Sequence, residues 1–200
     1  MSDNNTLDYY NLHTADFVNT TQNVDFHEIQ ELFLSYLPVK SKILDFGCGS
    51  GRDTKYFKDN GYEVDAMDGS KELCKVATKY TGIQVRHMLF EDFNECNAYD
   101  GIWACASILH IKKCELPDMI TRLYQALKKN GVIYMSFKYG GFEGVRNGRY
   151  FTYLTEESFD MLMKPIHGFM KEKIWVTGDV RQDRGTEQWL NIILRKVTTI

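Results

Sequence analysis

Three glycines at alternate positions, Gly47, Gly49 and Gly51, follow an apolar run that ends in Asp45, and helix-forming residues take over at Arg52. Glycine serves where backbone must take a positive φ or approach a ligand closely, and the helix behind it points free N–H groups and a positive dipole end into the same space. A ligand is therefore expected across this turn. It is not the turn of a dinucleotide fingerprint, which requires glycine where Arg52 stands, nor a P-loop, because no Gly-Lys-Ser/Thr follows. Asp68 comes 23 residues after Asp45, close to the spacing of the acidic residue that holds a ribose in βαβ folds. Its carboxylate can accept hydrogen bonds from both vicinal hydroxyls. The same residue, with Ser70, could instead cap the helix expected over 71–80. Ser107 and His110 lie just past a run of small residues, Ala104, Cys105 and Ala106, and His110 has the chemistry of a general base near neutral pH. A purely structural histidine is the alternative.

The elements that must position these groups follow from periodicity. Ile29, Leu32, Phe33 and Tyr36 recur at helical spacing and Pro38 closes the segment, so a helix over 26–37 precedes the glycine-turn strand. Val64 and Met67 carry a second strand into Asp68, residues 83–89 read as a third, and a fourth starts at Tyr99 and runs toward His110. An amphipathic helix over 116–129 is ended by Asn130-Gly131, and 132–137 is a fifth, buried strand. Residues 138–151 hold four glycines with Lys138, Arg146 and Arg149 and little apolar periodicity, the composition of a long functional loop. A helix over 155–163 and strands over 169–177 and 188–196 follow. The first 25 residues, with Tyr9, Tyr10 and Phe17, are expected to form an irregular or helical cap.

At 200 residues, one domain burying about 70% of its unfolded surface is the simplest organisation. A net charge of −3 gives no electrostatic reason for strong nucleic-acid or membrane binding. Five cysteines without a C-x-x-C pair fit neither a disulfide framework nor a zinc site, so no metal is expected and a reducing cytoplasm fits best. The amino-terminal residues are polar and no apolar run has the length of a membrane span.

The pattern D-x-G-x-G-x-G over 45–51 resembles motif I of the class I S-adenosylmethionine-dependent methyltransferases. FEDF, YDGIWACASILHI, SFKYG, GRYF and WLN are similar to signatures of small bacterial methyltransferases of the tellurite-resistance and methyltransferase type 11/12 groups. The resemblance covers nearly the whole chain from Phe26 onward. It implies a Rossmann-like α/β fold: a seven-stranded, mostly parallel sheet with a C-terminal antiparallel pair and helices on both faces. It further divides one methyltransferase domain, 1–200, into a cap over 1–25, a cofactor-binding core over 26–137, an active-site loop over 138–154 and a closing part over 155–200.

S-adenosylmethionine is the implied cofactor, with S-adenosylhomocysteine as product. Asp45, Gly47, Cys48, Gly49, Gly51 and Arg52 would lie beside its methionine portion; Asp68, Gly69 and Ser70 beside the ribose. Phe90, Glu91, Asp92 and Phe93 would hold the adenine, with either carboxylate on the exocyclic amine; a solvated acidic loop with both phenylalanines in the core is the alternative. Ala106 and Ser107 would border the methyl group, and Tyr10 would shield the sulfonium from the cap. The expected activity is in-line methyl transfer to the oxygen, nitrogen or sulfur of a small molecule. A methyltransferase that modifies RNA with a partner, or a non-catalytic cofactor-binding module, is the alternative. Only two long segments lack core periodicity, so they are expected to roof the acceptor, with Tyr9, Lys138, Arg146, Arg149 and Tyr150 facing it.

Overall fold

A computed structural model describes residues 4–181 and 185–197. In chain order the elements are α1 (Asn4–Leu12), α2 (Thr14–Thr21), α3 (His27–Leu34), β1 (Lys42–Phe46), α4 (Arg52–Asp59), β2 (Glu63–Asp68), α5 (Lys71–Thr81), β3 (Arg86–His87) and β4 (Tyr99–Ala104). There follow α6 (Leu116–Ala126), β5 (Leu127–Lys138), β6 (Glu143–Arg146), β7 (Arg149–Thr152), α7 (Glu156–Met163), β8 (Phe169–Gly178) and β9 (Gln188–Lys196). Seven strands form one sheet in the order β3-β2-β1-β4-β5-β9-β8, and β6 and β7 pair separately. The first five are parallel, while β9 runs antiparallel to both β5 and β8.

Alternation along the central strands divides the core between the two faces. Leu44, Ile102, Ile133 and Met135 pack with Leu116, Ile120, Leu123 and Phe159 from α6 and α7. Their strand neighbours Ile43, Trp103, Val132 and Tyr134 pack with Phe33 and Phe57 from α3 and α4. Because helices cover both faces, β1 and β4 read as nearly continuous apolar runs, which is why periodicity exposed them. The strand order reverses between β1 and β4, and such a reversal opens a crevice at the carboxyl ends of the strands. The glycine turn after β1 and residues 105–110 after β4 meet there.

Three elements differ from the sequence expectation. The third strand is only two residues long, because Ile83 and Val85 donate their N–H groups to the Thr81 and Thr78 hydroxyls of α5 rather than to a neighbouring strand. Helix α6 stops at Ala126, since Leu127 already pairs with Tyr99; Asn130-Gly131, with Asn130 at φ 63°, turns the chain inside the strand. A side chain on Gly131 would stand 3.0 Å from the Lys128 carbonyl and 3.1 Å from that of Asp100. The expected loop over 138–154 is largely a hairpin. Asn147 (φ 50°) and Gly148 (φ 75°) form its two-residue turn, the Asn-Gly signal for a twisted hairpin, between Arg146 and Arg149.

Candidate active site

The glycine turn is fixed from both sides. Gly47 and Cys48 both donate their N–H groups to the Met67 carbonyl at 2.9 Å. Gly47 has φ 83°, and a Cβ there would lie 2.5 Å from the Ser107 Cβ, so this position admits only glycine for reasons of both conformation and space. Gly51 serves a different purpose from the one expected: its Cα faces α5, where a Cβ would meet Thr81 at 2.8 Å, so it brings two helices together instead of lining a cavity. Asp68 joins the turn to the next strand. Its Oδ2 accepts the Gly49 N–H at 2.9 Å and its Oδ1 the Ser70 N–H at 2.8 Å. Burial raises its pKa, against the pull of those N–H donors. Ser70 is the true cap of α5, accepting from Leu73 N, and it donates to Asn11 Oδ1 of α1 at 2.7 Å. Ser70 thus holds the cap in place and does not line the cleft.

Beneath the turn lies a buried polar cluster. Asp45 Oδ2 accepts from Thr54 Oγ1 at 2.5 Å, and burial together with the Asp53 charge pushes its carboxyl up. Asp53 accepts two N–H groups of Arg52, Nε at 2.8 Å and Nη2 at 2.9 Å, and also Gln30 Nε2 at 2.6 Å and Trp103 Nε1 at 2.9 Å. Burial alone would raise the Asp53 carboxyl; the Arg52 guanidinium more than offsets this and holds it below its ordinary value. Arg52 stacks on the Phe26 ring at 4.5 Å.

Two cavities meet at Gly47, Gly49 and Ala106. The smaller, about 70 Å³, runs from Asp68 and Gly69 past Leu89 and Phe90 to Ser107, under Thr6 and Leu7 of α1. The Ser107 hydroxyl is buried without a hydrogen-bond partner. A diol-accepting carboxylate, glycine backbone without side chains, an unpaired hydroxyl and the Phe90 ring together suit a nucleoside with a polar tail. Glu91 and Asp92 stand on the exposed side of a short 3-10 turn, and Phe93 is wholly buried against Phe46. None of the three lines the cleft; of the four residues expected there only Phe90 does, together with Leu89. Phe90 reaches it because its ring stacks on Phe46 at 4.6 Å.

The larger cavity, about 160 Å³, is walled by Tyr10, Phe17, Phe26, Cys48, Arg52, Cys105, Leu109, His110, Arg149 and Phe151, and is closed by Asp179, Arg181, Trp189 and Asn191. Tyr10 and His110 face both cavities. His110 Nδ1 is 2.6 Å from the Tyr150 carbonyl, an acceptor only, so Nδ1 carries the proton; Nε2 then accepts from Tyr10 Oη at 2.9 Å. Burial lowers the His110 pKa to about 4, and the Arg149 and Lys138 charges add to this against the hydrogen bond to Tyr150. Lys138 lines the cavity with its charge paired to Glu187 at 2.6 Å. Tyr9 lies outside, its ring 4.5 Å from the Arg149 guanidinium, and Tyr150 points away, donating its hydroxyl to Glu143 at 2.7 Å. Arg146 is exposed and lines only an outer mouth. The wall from β8, β9 and their connection was missed from sequence. Asp179 accepts from Arg181 at 2.9 Å and from Trp189 Nε1 at 3.1 Å, and only the alternate placing of Trp189 and Asn191 along a strand hinted at it.

Among the described residues there is no cluster suited to a metal ion, and no helix is long and apolar enough to cross a membrane. The family model described as a methyltransferase domain matches residues 43–131. A malonyl-[acyl-carrier protein] O-methyltransferase of Salmonella typhimurium is 30% identical over 98 residues, 46% of this chain and 37% of that one. The chain spans about half the length of the curated relatives it matches. Among solved structures, the 1,6-didemethyltoxoflavin-N1-methyltransferase of Burkholderia thailandensis, with S-adenosylhomocysteine bound, superposes with a TM-score of 0.73 at 20% identity, over 96% of this chain and 90% of that one. The [4+2]-cyclase SpnF gives the same TM-score at 13% identity, over 96% and 95%. The motif at the glycine turn, the strand order and the matched domain agree: residues 43–131 match a methyltransferase domain, and the chain has the fold of the class I S-adenosylmethionine-dependent methyltransferases.

Proposed function

We propose that the protein transfers the methyl group of S-adenosylmethionine to a small-molecule acceptor held in the larger cavity. The observation that carries this is the pair of cavities joined at Gly47, Gly49 and Ala106. One suits a nucleoside, and the other is a separate chamber on the same seam. When bound, the cofactor supplies a methyl group already activated on a sulfonium, open to in-line displacement by an oxygen, nitrogen or sulfur. The names of the two methyltransferase relatives cover oxygen and nitrogen acceptors. Asp68 would hold the ribose hydroxyls, Phe90 and Leu89 the adenine, and the Ser107 hydroxyl a polar group nearby.

Positioning and exclusion of water are the work left to the protein. Phe17, Phe26 and Leu109 supply an apolar wall. Tyr10 and His110 can take up a proton from the acceptor: Tyr10 Oη receives it while passing its own to His110 Nε2, and Nδ1–H stays on the Tyr150 carbonyl. A methyl-transfer screen over phenols, amines, thiols and carboxylic acids, read by release of S-adenosylhomocysteine, tests the assignment. Turnover with one class supports it, and cofactor binding without turnover on any class counts for a non-catalytic module.

Tyr10→Phe should lower kcat at least tenfold for the acceptor found and leave S-adenosylhomocysteine affinity within threefold. Equal kcat would remove the relay. Because His110 titrates near 4, kcat/KM should show no His110 inflection between about pH 5.5 and 7.5. An inflection near the ordinary value of about 6.5 would mean that the imidazole is solvated.

A further inference from the structure

The larger cavity opens through a polar mouth bordered by Lys138, Arg146, Arg149 and Glu187. Glu187 pairs with Lys138, so that charge is accounted for. Arg149 differs. Among the described residues no carboxylate lies within ion-pair distance of it, and its Nε is buried without a hydrogen-bond partner. Among the described residues its single side-chain hydrogen bond is a 3.4 Å approach of Nη1 to Tyr10 Oη. Rings hold the guanidinium in place: Tyr9 at 4.5 Å, Phe151 at 5.1 Å and Tyr10 at 5.6 Å from its carbon.

The hairpin makes this costlier still. Arg146 stands directly opposite Arg149 in the β6–β7 register, which puts two like charges on one face of a two-stranded ribbon. Among the described residues Arg146 makes a single side-chain hydrogen bond, to Tyr153 Oη at 3.4 Å. A buried donor left unpaired is unfavourable, and the half-buried guanidinium has no counter-ion among the described residues to offset it. S-adenosylmethionine, when bound, would bring a further positive charge, its sulfonium, toward the same cleft. An anion from outside the chain is what the arrangement lacks.

Resting on the methyltransferase reading, we propose that the acceptor is a small aromatic carboxylic acid whose carboxylate is bound by the Nε–Nη edge of Arg149, with a second group of the same molecule receiving the methyl. A guanidinium presents two parallel donors to a carboxylate, and rings that fix its plane remove the ordering cost of forming them. The body of the acid then lies against Phe151, Leu109 and Phe17, toward the seam with the smaller cavity. Arg146, exposed at the mouth, helps draw the anion in without gripping it.

Benzoate and benzamide, alike in shape and different in charge, test this by calorimetric titration into protein saturated with S-adenosylhomocysteine. Benzoate is expected to bind at least tenfold more tightly than benzamide, and Arg149→Gln to abolish the difference while changing S-adenosylhomocysteine affinity by less than threefold. Should the glutamine variant fail to fold, Arg149→Lys keeps the charge and loses the fork; it should weaken benzoate at least fivefold. Binding of the two probes within threefold of each other, a preference that survives Arg149→Gln, or benzoate affinity unchanged in Arg149→Lys would each overturn the proposal. With S-adenosylhomocysteine bound and no preference for benzoate, only the acid-binding role falls. If S-adenosylhomocysteine itself does not bind, the methyltransferase reading falls with it.

Discussion

Asp68→Ala should weaken S-adenosylhomocysteine binding by roughly 10- to 150-fold, the equivalent of losing charge-assisted hydrogen bonds worth about 1.5–3 kcal/mol. The carboxylate has two tasks. It accepts the Gly49 and Ser70 N–H groups, which fixes the glycine turn against β2, and its remaining lone pairs face the smaller cavity. Removing it should therefore also lower the melting temperature, because two N–H groups at the cavity wall lose their acceptor. Asp68→Asn separates the tasks. The amide oxygen can still accept one backbone N–H, so stability should largely return, while affinity should remain below wild type because the charge is gone. Calorimetry and thermal unfolding of both variants check this. If affinity is unchanged in Asp68→Ala and only stability falls, Asp68 serves the turn and α5 alone.

Asp53→Ala is expected to be the most destabilising single change outside the apolar core, by about 3–5 kcal/mol, the usual cost of breaking a buried ion pair by removing one partner. Arg52 would stay buried on Phe26 without its counter-charge, and Gln30 and Trp103 would each keep an unsatisfied donor. For a chain of this size the loss corresponds to a drop of roughly 6–20 °C in melting temperature. The pH dependence follows from the direction of the Asp53 shift. Its folded-state pKa is depressed, so its stabilisation is present above the unfolded value of about 3.9 and is lost as pH falls through the lower folded value. Urea unfolding of wild type and variant at pH 7 and below about pH 3 measures this directly: the difference should be full at pH 7 and shrink below the unfolded value. A difference below 1 kcal/mol at pH 7 would show that Arg52 finds another acceptor.

How much of this was legible in the sequence depended on how local the cause was. The glycine turn, β1, β2, β4 and the C-terminal strand pair were readable because each is set by adjacent residues, and β1 and β4 are also buried on both faces. The mostly parallel seven-stranded sheet with its C-terminal antiparallel pair came through the resemblance of the motifs, not through periodicity, and the strand order itself came only from the structure. Asn147-Gly148 was a readable hairpin signal, but four glycines among charged residues made the stretch look like an open loop. The Asp53 cluster was not readable at all. It joins Gln30, Asp53 and Trp103, which only the packing of α3 and α4 over β4 brings together. FEDF was readable in part: Phe90 was expected at the cleft, but which residues turn inward was not decided by sequence, and a single turn of 3-10 helix points Phe90 into the cleft and Phe93 into the core and leaves both carboxylates outside. Likewise the pairing of Tyr10 with His110 spans 100 residues, so the histidine's buried, neutral state could not be foreseen.

Calorimetric titration of the wild-type chain with S-adenosylhomocysteine, and separately with NAD, tests the central claim most directly. Both ligands carry adenosine, and they differ in the parts that the Gly47–Gly49 turn and the missing glycine at Arg52 discriminate. The predicted result is a single saturable site for S-adenosylhomocysteine, lost or weakened at least tenfold in Asp68→Ala, and no heat with NAD. Binding of NAD together with silence toward S-adenosylhomocysteine would contradict it.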